Sequence, residues 1–124
     1  MSVGETIENY LETLHILLQE QEDVRSVDLA NAMNFSKPTI SVMMKQLREK
    51  GLINVDTNGF LTLTKKGRAI AERVYERHVY LTELLVRLGV EEETAAEDAC
   101  KIEHVISQET FDSIKKHFEE DRNN

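Results

Sequence analysis

Apolar residues recur at three- and four-residue intervals along most of the chain, the signature of helices with one buried face. Ile7, Tyr10, Leu11, Leu14, Leu17 and Leu18 form such a stripe and predict a helix over residues 6–19. A polar stretch, 20–25, reads as a loop. Ser26 reads as the N-cap of a short helix carrying Val27, Leu29, Ala30 and Met33, with acidic Asp28 in its first turn. Asn34-Phe35 makes a tight connection, since Asn tolerates the left-handed conformation that ends a helix. Ser36-Lys37-Pro38 opens a third helix, with Ser36 capping and Pro38 in the first turn, where its missing N–H is not needed. Ile40, Met43, Met44 and Leu47 supply its apolar face, and Gly51 stops it.

Two short helices joined by a short turn form a helix-turn-helix pattern. Residues 52–55 and 60–63 alternate as strands, and Asp56-Thr57-Asn58-Gly59 between them reads as a hairpin turn, the wing. Thr64 caps a long helix reaching residue 88, with Ile70, Val74, Leu81, Leu85 and Leu88 on one side and Gly89 at its end. A fifth helix is predicted over 92–106 (Ala95, Ala99, Ile102, Ile106). Ser107 caps a sixth, striped by Phe111, Ile114 and Phe118, with fraying expected from 119 onward. The expected fold is mainly α, an N-terminal winged helix-turn-helix over residues 1–72 followed by a helical lobe over 73–124.

Composition changes this picture little, but charge changes it substantially. A 40% hydrophobic content supports a core, and five Gly and one Pro suit a helical chain. No apolar run is long enough to span a membrane. The start, Met1-Ser2-Val3-Gly4-Glu5, has no basic patch followed by an apolar stretch, so no signal peptide is expected. A single cysteine, Cys100, excludes an intrachain disulfide, and the cytoplasm is the expected compartment. The net charge of −8 divides into −6 over residues 1–35, +5 over 36–73 and −7 over 74–124. A basic island therefore lies between two acidic lobes, and the local field decides where a polyanion docks.

The island coincides with the segment that a helix-turn-helix presents to the DNA major groove. Ser36, Lys37, Pro38, Thr39, Ser41 and Val42 are short or flexible side chains with hydroxyls for base or phosphate oxygens and apolar surface for a thymine methyl. Lys45, Arg48, Lys65, Lys66 and the wing with Asn58 are expected to contact phosphate. The competing reading is a winged helix used for protein contacts, which the local basic charge argues against.

A second constellation lies near the end of the predicted fifth helix. Cys100, Glu103 and His104, at i, i+3 and i+4, project from one face of that helix. A thiolate, a carboxylate and an imidazole make a partial shell for a first-row transition metal. The bland alternatives are a small buried thiol and a solvated Glu–His pair. His78 in the long helix, with Asn9 and Glu12 at i and i+3 in the first, are not required for the apolar stripes and are further candidate ligands. His15 is read as a surface histidine.

Taken together, Glu8-Asn9-Tyr10-Leu11-Glu12, the run from Ser36 to Ser41, Thr64-Lys65-Lys66-Gly67, Arg77-His78 and the run from Asp98 to Ser107 resemble the diphtheria toxin repressor and manganese transport regulator family. The resemblance covers about residues 5–120. It implies a homodimer built on the helices after the wing, a metal site drawn from the first helix, His78 and the fifth helix, and metal-dependent repression of uptake genes. It thereby assigns metal binding and dimerisation to residues 73–124. Residue by residue the pattern is a hybrid. Cys100, Glu103 and His104 match the primary site of the iron-responsive branch, which has Met where this chain has Asn9. Glu12 and His78 match the manganese branch, which has Asp at Asn9 and Glu at Cys100. Two positions of the iron branch's ancillary site fall on Thr82 and Ala96. The chain also stops short of the iron branch's third domain and of the manganese branch's last helix.

Manganese prefers oxygen donors, so a thiolate at Cys100 favours Fe²⁺ over Mn²⁺, with Co²⁺, Ni²⁺ and Zn²⁺ able to bind in vitro. The expected partners are palindromic double-stranded DNA and a second copy of the chain, with no membrane. A metal-independent winged-helix regulator with a small-molecule pocket remains a second reading. A metalloenzyme using Cys100, Glu103 and His104 is the third, and it lacks an evident acid/base pair or oxyanion donor.

Overall fold

The computed structural model describes residues 4–123, with side chains through Asp121. Met1–Val3, part of the segment read as lacking a signal peptide, and Asn124 lie outside the described residues. The elements are α1 (Glu5–Glu20), α2 (Ser26–Met33), α3 (Lys37–Glu49), β1 (Ile53–Val55), β2 (Leu61–Leu63), α4 (Lys65–Arg87), α5 (Glu92–Ile102) and α6 (Gln108–Asn123). The fold is mainly α, as the periodicity predicts. Among the described residues no helix is long and apolar enough to cross a membrane. The chain divides into two compact units, one ending at Arg73 and one starting at Val74.

In the first unit, Leu11, Leu14, Leu29, Leu47 and Leu52 are fully buried, drawing α1, α2, α3 and the hairpin onto one core. Local chemistry sets the helix ends. Asn34 takes the left-handed conformation (φ 58°) and closes α2. Ser36 caps α3, its Oγ accepting the Thr39 N–H at 3.3 Å, and Pro38 sits in the first turn. The start of α2 differs from expectation: Arg25 is the N-cap, and Ser26 already belongs to the helix. The reason is Asp28, whose Oδ2 accepts the Arg25 N–H at 2.8 Å and so fixes the turn one residue earlier.

β1 and β2 pair antiparallel, with Ile53 opposite Leu63 and Val55 opposite Leu61. Asp56 organises the turn between them: its Oδ1 accepts the N–H of Asn58 at 2.8 Å and of Phe60 at 2.9 Å. Thr64 then caps α4. Its Oγ1 accepts the Gly67 N–H at 3.0 Å and donates to the Gly51 carbonyl at 2.7 Å. Gly67 has a purpose that periodicity does not reveal: a Cβ built there would lie 2.0 Å from the Leu52 carbonyl oxygen. α4 and Leu52, the residue leading into β1, approach so closely that only glycine fits.

In the second unit, Val74, Leu81, Ala95, Ala99, Phe111 and Phe118 form the core. Tyr80 packs edge-on to Phe111, ring centroids 5.9 Å apart. Ser107 caps α6, accepting the Thr110 N–H at 3.0 Å. Three expectations are corrected here. Leu88 is 72% exposed, because α4 ends at Arg87 and the next residue leaves its buried face. α6 stays helical through Asn123 where fraying was expected from 119. α5 stops at Ile102, four residues short of the predicted end, with Glu103 as C-cap.

Candidate nucleic-acid interface and metal centre

The first unit presents a polar, basic surface along α3. Ser36, Lys37, Pro38, Thr39, Ser41, Val42 and Lys45 are all exposed, and so is Asn58 at the tip of the hairpin. The alternation follows from the helix: Ile40, Met44 and Leu47 turn into the core, leaving the intervening residues outward. Val42 is 57% exposed, which gives this face an apolar spot among hydroxyls and cations. Ser36 and Thr39 hold one another, Oγ to Oγ1 at 2.9 Å, at the start of α3. Between α3 and the hairpin lies a groove of about 420 Å³ lined by Ser41, Lys45, Arg48, Val55 and Gly59. Lys50, Lys65, Lys66 and Arg68 are also exposed, so the basic island of the sequence stays at the surface.

In the second unit, Cys100, Glu103 and His104 converge although they do not share a helical face. Cys100 lies in the last turn of α5, while Glu103 and His104 stand beyond its end. Glu103 keeps near-helical dihedrals (φ −56°, ψ −25°), which preserves the direction of its side chain. One ligand atom of each of the three lies within 4.8 Å of those of the others. The Glu103 side chain is wholly buried. Its Oε2 is 3.0 Å from Nδ1 of His78 on α4, and its Oε1 is 3.4 Å from Nε2 of His104. Oε1 nevertheless has no hydrogen-bond partner among the described residues.

A buried carboxylate with an unsatisfied oxygen is expensive unless it is ionically paired or coordinates a metal. The surrounding donors are a thiol and two imidazoles, a mixed set suited to a first-row divalent transition ion. The residues present therefore fit a metal. His78 could serve as a direct donor or orient the Glu103 carboxylate, as histidine–carboxylate pairs do around metal sites. Thr82 on α4 is not turned to ligation: its hydroxyl donates to the His78 carbonyl at 2.7 Å.

The remaining candidates lie on α1 in the first unit. Asn9 is half-buried and Glu12 is buried, at 6% exposure. His15, read as a surface residue, is half-buried and lies 3.1 Å from the Gln19 amide nitrogen. Sequence reasoning gave no role to Glu8, which is 4% exposed and pairs with Arg73 at 3.3 Å. Its spacing of four from Glu12 was the available signal. Arg77 was also missed as more than part of a motif. Its Nη1 donates to the carbonyls of Glu103 and Ile106, both at 3.1 Å, and its Nη2 to Gln108 Oε1 at 2.8 Å.

Comparison with known proteins accounts for both units. Residues 2–59 match the family described as iron dependent repressor, N-terminal DNA binding domain. Residues 64–123 match iron dependent repressor, metal binding and dimerisation domain. A helix-turn-helix-type transcriptional regulator of Methanocaldococcus jannaschii is 32% identical, over 91% of this chain and 92% of that protein. The transcriptional regulator MntR of Escherichia coli is 36% identical, over 90% of this chain and 72% of that protein. Among solved structures, the manganese regulator SloR superposes with a TM-score of 0.79 at 27% identity, over 96% of this chain and 55% of that one. A manganese-dependent transcriptional repressor in complex with manganese gives 0.80 at 30% identity, over 90% and 51%. The chain thus spans about half the length of these two solved proteins. The chain belongs to the diphtheria toxin repressor and manganese transport regulator family, whose members are metal-dependent transcriptional regulators and not enzymes.

Proposed function

We propose that this chain is a homodimeric repressor of metal-uptake genes that occupies palindromic double-stranded DNA in the cytoplasm when its metal site is filled. Residues 1–72 read the DNA, and residues 73–124 bind metal and dimerise. The observation that carries this reading is the buried Glu103 carboxylate, with one oxygen unsatisfied beside Cys100, His104 and His78. The proposed donor set is Cys100, Glu103, His104 and His78, completed by Glu12 and Asn9 of α1. The metal supplies a divalent positive charge that draws these carboxylates and the thiolate together.

The favoured ion is Fe²⁺. A thiolate at Cys100 and a neutral amide at Asn9 make a softer, less anionic set than Mn²⁺ prefers. The second reading is Mn²⁺, supported by the manganese regulators among the relatives and by Glu12 and His78. Under either, joint ligation by Glu12 and Glu103 would restrain α1 and so hold the two recognition helices of a dimer about one DNA turn apart, roughly 34 Å, or a multiple of it. Ser36, Lys37, Pro38, Thr39, Ser41 and Val42 read base edges or the adjoining backbone, while Lys45 and Asn58 contact phosphate. The linkage is reciprocal: DNA tightens metal binding by the factor by which metal tightens DNA binding.

A selection of palindromic DNA by the purified full chain tests this, run with anaerobic Fe²⁺, with Mn²⁺ and with chelator. Sequence-specific binding is expected only with metal, and Cys100→Ser is expected to weaken or lose the Fe²⁺ response. Equal binding in chelator would leave a metal-independent winged-helix regulator as the better account.

A further inference from the structure

We infer that Arg77 is the positioning residue of the metal centre, holding Glu103 and His104 in ligating geometry without itself contacting the ion. The inference rests on the donor set proposed above. α5 ends at Ile102, and a helix C-terminus leaves carbonyl groups without intrahelical partners. No glycine follows to close it with a left-handed cap. The Ile102 carbonyl is met by the Val105 and Ile106 N–H groups at 3.0 and 3.2 Å, and Arg77 meets the next ones from α4: a single nitrogen, Nη1, bridges the carbonyls of Glu103 and Ile106 at 3.1 Å each. A guanidinium is permanently charged, and a cation at this end of a helix meets the negative end of its dipole.

The same side chain is anchored at two further points. Nη2 donates to Gln108 Oε1 in the first turn of α6, at 2.8 Å. The guanidinium also lies over the Phe111 ring, 5.5 Å from its centroid. Arg77 therefore joins the end of α5, the turn over 103–106 and the start of α6. Gln108 and Phe111 hold the arginine in place, so the turn that carries two donors is fixed before any metal arrives.

Glu103 is consequently held from both ends by consecutive residues of α4. His78 meets its carboxylate at 3.0 Å, and Arg77 meets its carbonyl at 3.1 Å. Adjacent residues on a helix point about 100° apart, so the two side chains approach from different directions and fix orientation as well as position. Lysine cannot replace this arrangement, because one ammonium on a flexible stem does not present the planar fork that spans two carbonyls and an amide.

The test is titration of the metal-free full chain with Co²⁺, following thiolate-to-cobalt charge transfer and the visible ligand-field bands, for wild type, Arg77→Ala, Arg77→Lys and Gln108→Ala. Removing a group that orients metal ligands typically weakens affinity about 10- to 100-fold. That loss is expected for Arg77→Ala, with altered ligand-field bands and faster amide hydrogen exchange over 103–106 in the metal-free protein. Arg77→Lys should recover only part of the affinity, and Gln108→Ala should lose less than Arg77→Ala. Should Arg77→Ala fail to fold by circular dichroism, Arg77→Lys decides. Cobalt affinity and band positions within about twofold of wild type, in the folded variant, would overturn the inference. An absent cobalt–thiolate band in wild type would instead sink the donor set itself, and this inference with it.

Discussion

The start of α3 and the end of α5 border the two candidate sites, and they are fixed in different ways. The start of α3 contains everything it needs within a few residues: Asn34 ends the preceding helix, Ser36 caps, Pro38 preorganises the first turn and Thr39 closes the cap. At the end of α5 the Ile102 carbonyl accepts the Val105 and Ile106 N–H groups at 3.0 and 3.2 Å, but the carbonyls of Glu103 and Ile106 in the turn that follows are met by Arg77, 26 and 29 residues earlier in the chain. The exposed basic face of α3 is thus written into contiguous sequence, whereas the 103–106 turn depends on tertiary packing.

The largest expected effect tests whether the first unit is as local as its caps suggest. Gly67→Ala should destabilise the chain by about 3 kcal/mol, at the upper end of overpacking costs, because the added methyl meets the backbone of Leu52 and no flexible side chain. Urea unfolding followed by circular dichroism measures it. A loss below about 0.5 kcal/mol would mean that α4 and Leu52 can separate freely there. A smaller effect, about 1 kcal/mol, is expected for Ser36→Ala, which removes the cap of α3. Its DNA affinity should fall with its stability while its metal affinity stays unchanged. A change in Co²⁺ binding of the isolated Ser36→Ala chain, measured without DNA, would contradict the contrast between the two ends.

The same contrast explains how much of the molecule could be read from sequence. Capping residues act on amides two or three positions away, so Ser36, Thr64 and Ser107 marked their helices correctly, and Asn34 marked its turn. Periodicity also placed the buried faces of α1 and α3. It failed where a partner is remote. The apolar spacing carries α5 on to Ile106, four residues too far, and gives no sign of the turn over 103–106 whose carbonyls Arg77 meets. Glu8 was given no role because Arg73, its partner at 3.3 Å, stands 65 residues away. Gly67 showed only as a glycine, since the carbonyl that excludes a Cβ belongs to Leu52. The metal-site candidates were legible as residue types in a spacing. Their convergence survives the early helix end because Glu103, as C-cap, retains helical dihedrals.

The central proposal is that metal ligation, with Glu12 among the donors, governs DNA binding. Its most direct test is the operator affinity of the full chain with and without saturating Fe²⁺, in wild type and in Glu12→Ala. Coupling of this kind typically spans about 5- to 150-fold. Wild type should show a gain in that range, and Glu12→Ala should show almost none even at metal concentrations that fill its remaining ligands. A Glu12→Ala chain that keeps the full Fe²⁺ response would contradict the account.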